Sequence, residues 1–193
     1  MTTWESGQPD VKDKIILSAK KLFAEQGYEG TSVRKICDEA GVSLPLVSYH
    51  YGGKENVFWA ILEPLKSVPF LPATDDPKAD LLHFFESMMT FLQQEPEISQ
   101  ILRQELSVNS PRSDKIVLLV RHISDKLRGI LEMGMDKGVF RLGSVSLTVK
   151  LIFGSMTAFR NVRCFETLYG PDSAVAHHSK ELFRFIYSGI GTD

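Results

Sequence analysis

The chain has 193 residues, a net charge of −2 and 43% hydrophobic residues. This composition is typical of a globular protein with a sizeable core, and the length suits a small N-terminal module followed by a larger body. The start of the chain lacks the basic and apolar segments of a signal peptide, and no run approaches the ~18 apolar residues of a membrane span. We therefore expect a cytoplasmic protein that does not enter a membrane.

Helical spacing of apolar residues runs through the whole chain, and no run shows the alternation of a half-buried strand. Three helices are predicted first, of which the second and the third are short. The first begins after Asp10 and ends at Gly27. The second stops at Gly41, and the Gly52-Gly53 pair closes the third.

A fourth helix begins at about residue 54. It is expected to kink or end at Pro64, because proline removes a backbone hydrogen bond and clashes with the preceding turn. A proline-rich stretch over residues 68–77 follows, and longer helices are predicted over 79–94, 96–108, from Pro111 toward Gly138, 144–168 and 172–188. The predicted fold is all-α with about nine helices: an N-terminal three-helix domain over 10–55 and a helical C-terminal domain over 56–193, with the fourth helix as the link.

The segment from Thr31 to Tyr51 has the pattern of a helix-turn-helix. Gly41 supplies the left-handed backbone that a sharp turn needs, and Ser43 is placed to cap the second helix of the pair. Many helical hairpins share a Gly-x-Ser turn, so this pattern alone is only moderately specific.

The predicted third helix turns an apolar side outward. Val47 and Tyr51 are placed to face the core, and the helical step of about 100° per residue then directs Pro45, Leu46 and Tyr49 away from it. Thymine methyl groups in the major groove of DNA would cover such a face, and so would a neighbouring helix or subunit. Charge does not favour DNA, because the first 60 residues carry seven basic and eight acidic side chains.

From about Lys12 to Ile61 the chain resembles the DNA-binding domain of the TetR/AcrR family of repressors. The residues that carry the resemblance are Ile15, Ala19, Leu22, Phe23, Gly27, Tyr28, Gly30–Val33, Ile36, Cys37, Ala40–Ser43, Tyr49–Glu55 and Phe58. Two positions depart from the family, in which threonine is common where Leu46 stands and tyrosine where Ser48 stands. The base preference of the family therefore does not carry over to this chain.

The resemblance implies a set of DNA contacts made by Thr31, Ser32, Arg34, Ser43, Leu44, Pro45, Leu46, Ser48, Tyr49, His50 and Lys54. Six of these residues form the recognition helix, which would touch bases and phosphates in the major groove. They are Leu44, Pro45, Leu46, Ser48, Tyr49 and His50. Arg34 would reach a base edge or a phosphate, or it stays a solvated charge. Thr31 and Ser32 would hold a phosphate or simply cap the second helix, whereas Lys54 would hold a phosphate beside the N-terminal amides of the fourth helix.

The resemblance also implies a homodimer, in which the last two long helices form a four-helix bundle with their mates across a two-fold axis. Two wide apolar stripes fit that arrangement. One contains Val145, Val149, Ile152, Phe153, Met156 and Phe159, and the other contains Val175, Leu182, Phe183, Phe185 and Ile186. Because one chain does not readily bury both stripes, we expect dimerisation through these helices, although a monomer core would also use them.

A pocket for a small apolar ligand is expected in the C-terminal part, although the same side chains suit a plain core. The candidate lining residues are Phe84, Phe85, Met88, Met133, Phe153 and Met156. Neither a metal nor a cofactor is expected, because His83, His122 and the His177-His178 pair have no metal spacing and Cys37 lies on an apolar stripe.

Together these features predict a ligand-responsive, one-component transcriptional repressor. It would bind a palindromic operator in double-stranded DNA as a dimer and be released by a small apolar or amphipathic effector. The alternative is a helical ligand-binding or adaptor protein that does not read DNA in a sequence-specific way, which the neutral charge balance favours. An enzyme is not expected, because the chain has no phosphate-binding glycine loop, nucleophile elbow or paired metal ligands.

Overall fold

The computed structural model describes residues 10–158 and 175–192, apart from the side chains at 157, 158 and 175–178. Over these residues the predicted all-α fold is confirmed, with nine α-helices and no β-strand beyond one isolated bridge between Phe140 and Gly191. The helices are α1 (Val11–Gly30), α2 (Val33–Ala40), α3 (Leu44–Tyr51), α4 (Lys54–Ile61), α5 (Pro77–Gln94), α6 (Pro96–Ser107), α7 (Ser113–Asp136), α8 (Val145–Ala158) and α9 (Val175–Ile190). The predicted helical positions 159–168 and 172–174 lie outside the described residues.

Local sequence signals account for the first helix ends. The Asp10 carboxylate accepts a hydrogen bond from the Asp13 amide at 2.8 Å and caps α1. Gly27 has φ 73° and interrupts α1, so one further helical turn follows it before Gly30. The break falls where the sequence predicts the first helix to end.

The fourth helix ends before the proline that was expected to kink or stop it. α4 finishes at Ile61, and a 3-10 helix over Glu63–Ser67 contains Pro64. The tighter 3-10 winding is a common way for a helix to end, and it accommodates a residue that has no amide hydrogen.

The described residues up to Ser67 and the segment Glu95–Ile116 form one compact unit. Its interior contains Ile15, Ala19, Phe23, Ile36, Val47, Val57, Phe58, Ile98 and Ile101, all with 1% exposure or less. α6 packs along α1, and the side-chain amides of Gln100 and Gln104 both donate to the Ala24 carbonyl, at 3.0 and 2.9 Å. The compact unit therefore includes α6 together with the N-terminal helices. The predicted boundary after residue 55 instead assigns α6 to the C-terminal domain.

The second unit consists of Val68–Gln94 and the described residues from Val117 onward. Its interior contains Leu81, Phe84, Phe85, Ile123, Leu127, Ile130, Leu131, Phe140, Ile152 and Met156. Backbone hydrogen bonds tie the turn after α7 to the end of α9: the Arg141 amide donates to the Ile190 carbonyl at 2.7 Å, and the Thr192 amide donates to the Val139 carbonyl at 3.2 Å. These bonds hold the end of α9 against the turn between α7 and α8.

Candidate nucleic-acid interface

Helices α2 and α3 form the predicted helix-turn-helix. The Ser32 hydroxyl accepts from the Lys35 amide at 3.2 Å and caps α2, and Gly41 ends α2 in the left-handed conformation with φ 65° and ψ 36°. Ile36 and Val47 are fully buried and join both helices to the core. The glycine is required at the turn because its positive φ strains any residue that has a Cβ atom.

The outer face of α3 is apolar and uncovered, as the sequence predicts. Tyr49 is 84% exposed and Leu44 is 54% exposed. Pro45 is also exposed, whereas Leu46 is half-buried. The ring of His50 meets the ring of Tyr49 edge-on, with centroids 5.1 Å apart. No part of the described chain covers this face, so it is available to a partner.

Ser43 takes the N-cap position of α3, but its hydroxyl makes no capping hydrogen bond. The predicted side-chain cap is therefore wrong, and the helix begins instead with the Leu46 amide donating to the Ser43 carbonyl at 3.0 Å. Pro45 in the first turn has no amide hydrogen that needs a cap. Ser43 and Ser48 are both exposed and stand at the edge of the apolar face.

Thr31 does not face outward. Its side chain is 1% exposed, and its hydroxyl donates to the carbonyls of Gly27 and Leu22, at 2.9 and 3.2 Å. A buried hydroxyl with two partners supports the break in α1 and is not accessible to a phosphate. We therefore correct the expected DNA contact by Thr31 to a structural role, whereas exposed Ser32 keeps its place in the candidate set.

Arg34 is exposed on α2, and within residues 10–158 and 175–192 it has no hydrogen-bond or ion-pair partner. The neighbouring basic residues are engaged. Lys35 donates to the Gln26 side chain at 2.6 Å and to the Gly30 carbonyl at 2.9 Å, and Lys21 pairs with Glu39 at 2.7 Å. Arg34 is thus the cation on α2 that is best placed for an outside partner.

Lys54 is mostly engaged inside the protein. Its ammonium donates to the carbonyls of Tyr28 and Thr31, both at 3.0 Å, and lies 3.9 Å from the centre of the Tyr28 ring. An ammonium has three donors, so one remains for a phosphate.

Arg112 stacks on the same Tyr28 ring at 3.7 Å and pairs with buried Glu105 at 2.8 Å. Sequence reasoning missed this cluster, because spacing does not connect Arg112, which precedes α7, with Tyr28 near the end of α1.

The apolar stripes of α8 and α9 are divided between the interior and the surface. Val149, Ile152, Met156 and Leu182 are at most 7% exposed within the single chain, so their expected place in a dimer interface is corrected to the protomer core. The exposed apolar side chains on these helices are Leu147 (56%), Leu151 (60%) and Phe185 (74%). Val145, Phe153, Phe183 and Ile186 are half-buried, whereas Phe159 and the Val175 side chain lie outside the described residues.

Four of the six expected pocket residues belong to the closed core. Phe84, Phe85, Met88 and Met156 are at most 6% exposed, and Met133 and Phe153 are half-buried. The rings of Phe84 and Phe153 meet edge-on at 6.4 Å. Of the expected set Phe84 also lines a small cleft among the described residues, which is bordered by Phe70, Leu71, Pro72, Asp80, His83, Phe84 and Lys126.

A helix-turn-helix with an uncovered outer face, followed by a larger helical unit, defines a class of protein: regulators that read DNA through a small N-terminal domain. Comparison with known families identifies the family of regulators within this class. Residues 15–61 match the model of bacterial regulatory proteins of the tetR family, and residues 77–190 match the tetracyclin repressor-like C-terminal domain. The chain belongs to the tetR family of transcription regulators.

Similar proteins include the repressor NicS of Pseudomonas putida, which is 26% identical over 160 residues, or 78% of this chain and 75% of NicS. The repressor AcnR of Corynebacterium glutamicum is 40% identical over 50 residues, which cover 26% of this chain and 27% of AcnR. Among solved structures, the hemolysin II transcriptional regulator HlyIIR has a TM-score of 0.75 at 26% identity, with 95% of this chain and 98% of the other covered. PfmR of Thermus thermophilus has a TM-score of 0.74 at 25% identity, with 94% and 100% covered.

Within the part of the chain that the structure describes, none of the helices is both long enough and apolar enough to cross a membrane.

Proposed function

We propose that this regulator is a repressor that binds a palindromic operator as a homodimer and leaves it when a small effector binds the C-terminal domain. The observation that carries the proposal is the uncovered outer face of α3, where Tyr49 is 84% exposed and Leu44 is 54% exposed. Apolar side chains that stay in water do not stabilise the fold. Thymine methyl groups and base edges in a major groove would bury this face and complement it. DNA is in the cytoplasm of a bacterial cell, which is where we place the protein.

The proposed DNA-reading domain is residues 10–55, with the remainder as the effector and dimer domain. Its proposed contacts are Ser32, Arg34, Ser43, Leu44, Pro45, Leu46, Ser48, Tyr49, His50 and Lys54. Lys54 contributes its one remaining N–H, next to the N-terminal amides of α4, which no side chain caps. Few free cations mean few phosphate contacts, so we expect a shallow dependence of affinity on salt.

The dimer interface that we propose contains the exposed side chains of Leu147, Leu151 and Phe185. Leu147 and Leu151 are four residues apart and therefore share a face of α8. A two-fold axis between protomers makes the two recognition helices symmetric, which is why a palindromic site is expected. Relatives such as NicS and AcnR are named as repressors, and this supports repression rather than activation.

The experiment is a gel-shift selection against total genomic fragments, followed by titration of the selected fragment at several salt concentrations. We expect saturable binding to one palindrome. Tyr49→Ala should weaken it by about 1–3 kcal/mol, or roughly 5- to 150-fold, because the ring loses its contact with a base edge or methyl group.

Leu17→Ala is the matched control, because Leu17 is 56% exposed on α1 and its loss should leave affinity within about twofold of wild type. Weak binding that is equal for all fragments and disappears as salt rises would overturn the proposal in favour of the adaptor alternative. Equal losses in Tyr49→Ala and Leu17→Ala would overturn the assignment of α3 as the reading helix.

A further inference from the structure

We propose that α3 distinguishes its operator through the methyl groups of thymine rather than through hydrogen bonds to base edges. Each half-site then contains a short run of T·A pairs whose methyl groups determine the preference. This inference rests on the proposed function and deepens it, because it names the chemistry of the DNA that the same helix recognises.

The residue types of α3 exclude the best hydrogen-bonded readers. Arginine or lysine reads guanine, asparagine or glutamine reads adenine, and aspartate or glutamate reads cytosine. None of these six types occurs in α3, from Leu44 to Tyr51. The Tyr51 hydroxyl donates to the Lys12 carbonyl at 3.2 Å, and His50 is half-buried. The Ser48 hydroxyl is exposed, but a hydroxyl donates to or accepts from any base, so it discriminates poorly.

Apolar atoms occupy the positions of α3 from which bases are read. Leu44 and Pro45 are the first two residues of the helix, and the N-terminal residues of a recognition helix contact base edges. Leu44 is 54% exposed, Tyr49 is 84% exposed, and Pro45 is also exposed. The helical step of about 100° places Tyr49 within about 40° of Pro45 and nearly opposite buried Val47. These three exposed side chains form a continuous apolar patch.

Thymine is the base that presents an apolar group to such a patch. Its C5-methyl group projects into the major groove, whereas a G·C pair presents only donors and acceptors there. Contact with a methyl group removes apolar surface from water on both partners, which is favourable. Contact with a G·C pair would take donors and acceptors out of water without giving them a partner, which is unfavourable.

The length of the patch limits the number of bases. Pro45 and Tyr49 are four residues apart, which is about 6 Å along the helix axis at 1.5 Å per residue. Successive bases of one DNA strand are about 3.4 Å apart, so the patch spans about two base steps. We therefore expect a run of about two or three T·A pairs in each half-site.

Replacement of thymine by uracil tests the inference, because uracil pairs with adenine in the same way and lacks only the methyl group. The palindrome selected from genomic fragments is synthesised with one symmetry-related pair of thymines replaced at a time. Gel shifts of the full-length protein then give the affinity for each operator. Burial of one methyl group contributes about 0.8 kcal/mol, or about fourfold in affinity, so we expect a loss of about fifteenfold for the pair at each contacted position. Replacement elsewhere in the operator should change affinity by less than about twofold.

Variants of the patch connect the methyl groups to α3. Leu44→Ala and Tyr49→Ala should each abolish the uracil effect at one contacted position, because the side chain that covers the methyl group is gone. Leu17→Ala is the matched control, since Leu17 is 56% exposed on α1 and its loss should leave the whole uracil effect in place. Circular dichroism of each variant shows that the helical fold is retained.

A second replacement separates the methyl group from the shape of A·T-rich DNA, which proteins also recognise. A C·G pair at a contacted position should weaken binding, and 5-methylcytosine in its place should recover about fourfold per methyl group. Equal affinity for the thymine and uracil operators would overturn the inference and leave the proposed function standing, because the palindrome is still bound. A uracil effect of the same size in wild type, Leu44→Ala and Tyr49→Ala would also overturn it. Failure to select any palindrome would refute the proposed function, and this inference with it.

Discussion

Replacing Gly134 of α7 with alanine would place a methyl group against the ring of Phe140. An ideal Cβ atom at this position lies 2.7 Å from Cγ of that ring and closer still to two other ring carbons. The ring does not move away easily, because Phe140 is 3% exposed and the amides of Val139 and Phe140 both donate to the Gly134 carbonyl, at 2.8 and 3.0 Å. The backbone of the turn thus holds the ring against the helix.

The magnitude follows from two opposing effects. Overpacking a closed core costs about 1–3 kcal/mol, and the upper end applies here because the clash involves the base of the ring. Alanine gains about 1 kcal/mol over glycine inside a helix. We therefore expect Gly134→Ala to lower the free energy of unfolding by about 2 kcal/mol.

Gly129→Ala is the matched control on the same helix. Its Cβ atom would meet nothing within 4 Å, so only the gain in helix propensity of about 1 kcal/mol applies. The measurement is urea unfolding followed by circular dichroism, at one protein concentration because the stability of a dimer depends on it. Equal stabilities of the two variants would refute the reasoning, and so would a Gly134→Ala protein as stable as wild type.

Three further predictions concern buried contacts and the proposed dimer. Thr31→Val should lower stability by about 1–2 kcal/mol in urea unfolding, because it removes the hydroxyl that donates to two carbonyls at the break in α1; an unchanged midpoint would contradict this. Arg112→Met should cost about 3 kcal/mol by leaving buried Glu105 without its cationic partner and with only the Ser110 hydroxyl as a side-chain donor among the described residues, and the double change with Glu105→Met should recover most of it. A double variant no more stable than the single one would argue against the pair. Leu151→Glu should shift the protein from dimer to monomer in analytical ultracentrifugation while Lys150→Glu does not, and a dimer in both would exclude this face of α8.

Most of the fold follows from signals that act within a few residues. Asp10 and Ser32 cap helices as their side chains predict, and Gly41 ends α2 because its backbone adopts a positive φ without strain. The outward direction of Tyr49 follows from the helical step once Val47 is placed in the core. These features depend on local sterics, which is why spacing along the chain is enough to predict them.

Other features depend on which helices meet, and spacing does not contain that information. The side-chain cap predicted at Ser43 is wrong, although Ser43 takes the N-cap position, because the residue type indicates a cap without determining the hydroxyl rotamer. Periodicity predicts a dimer face from Val149, Ile152 and Met156, which are buried within the single chain, because it identifies an apolar side of a helix but not what covers it.

The amino-acid sequence by itself determined the helices, the helix-turn-helix turn and the exposed side of α3, since each arises from backbone geometry and periodicity over one or two helical turns. Only the tertiary structure decided that Lys54 is largely occupied by Tyr28 and Thr31, and that His83 and Lys126 border one cleft. The physical reason is that these groups are brought together by packing between helices distant in the chain, where contact rather than spacing decides which donors stay free.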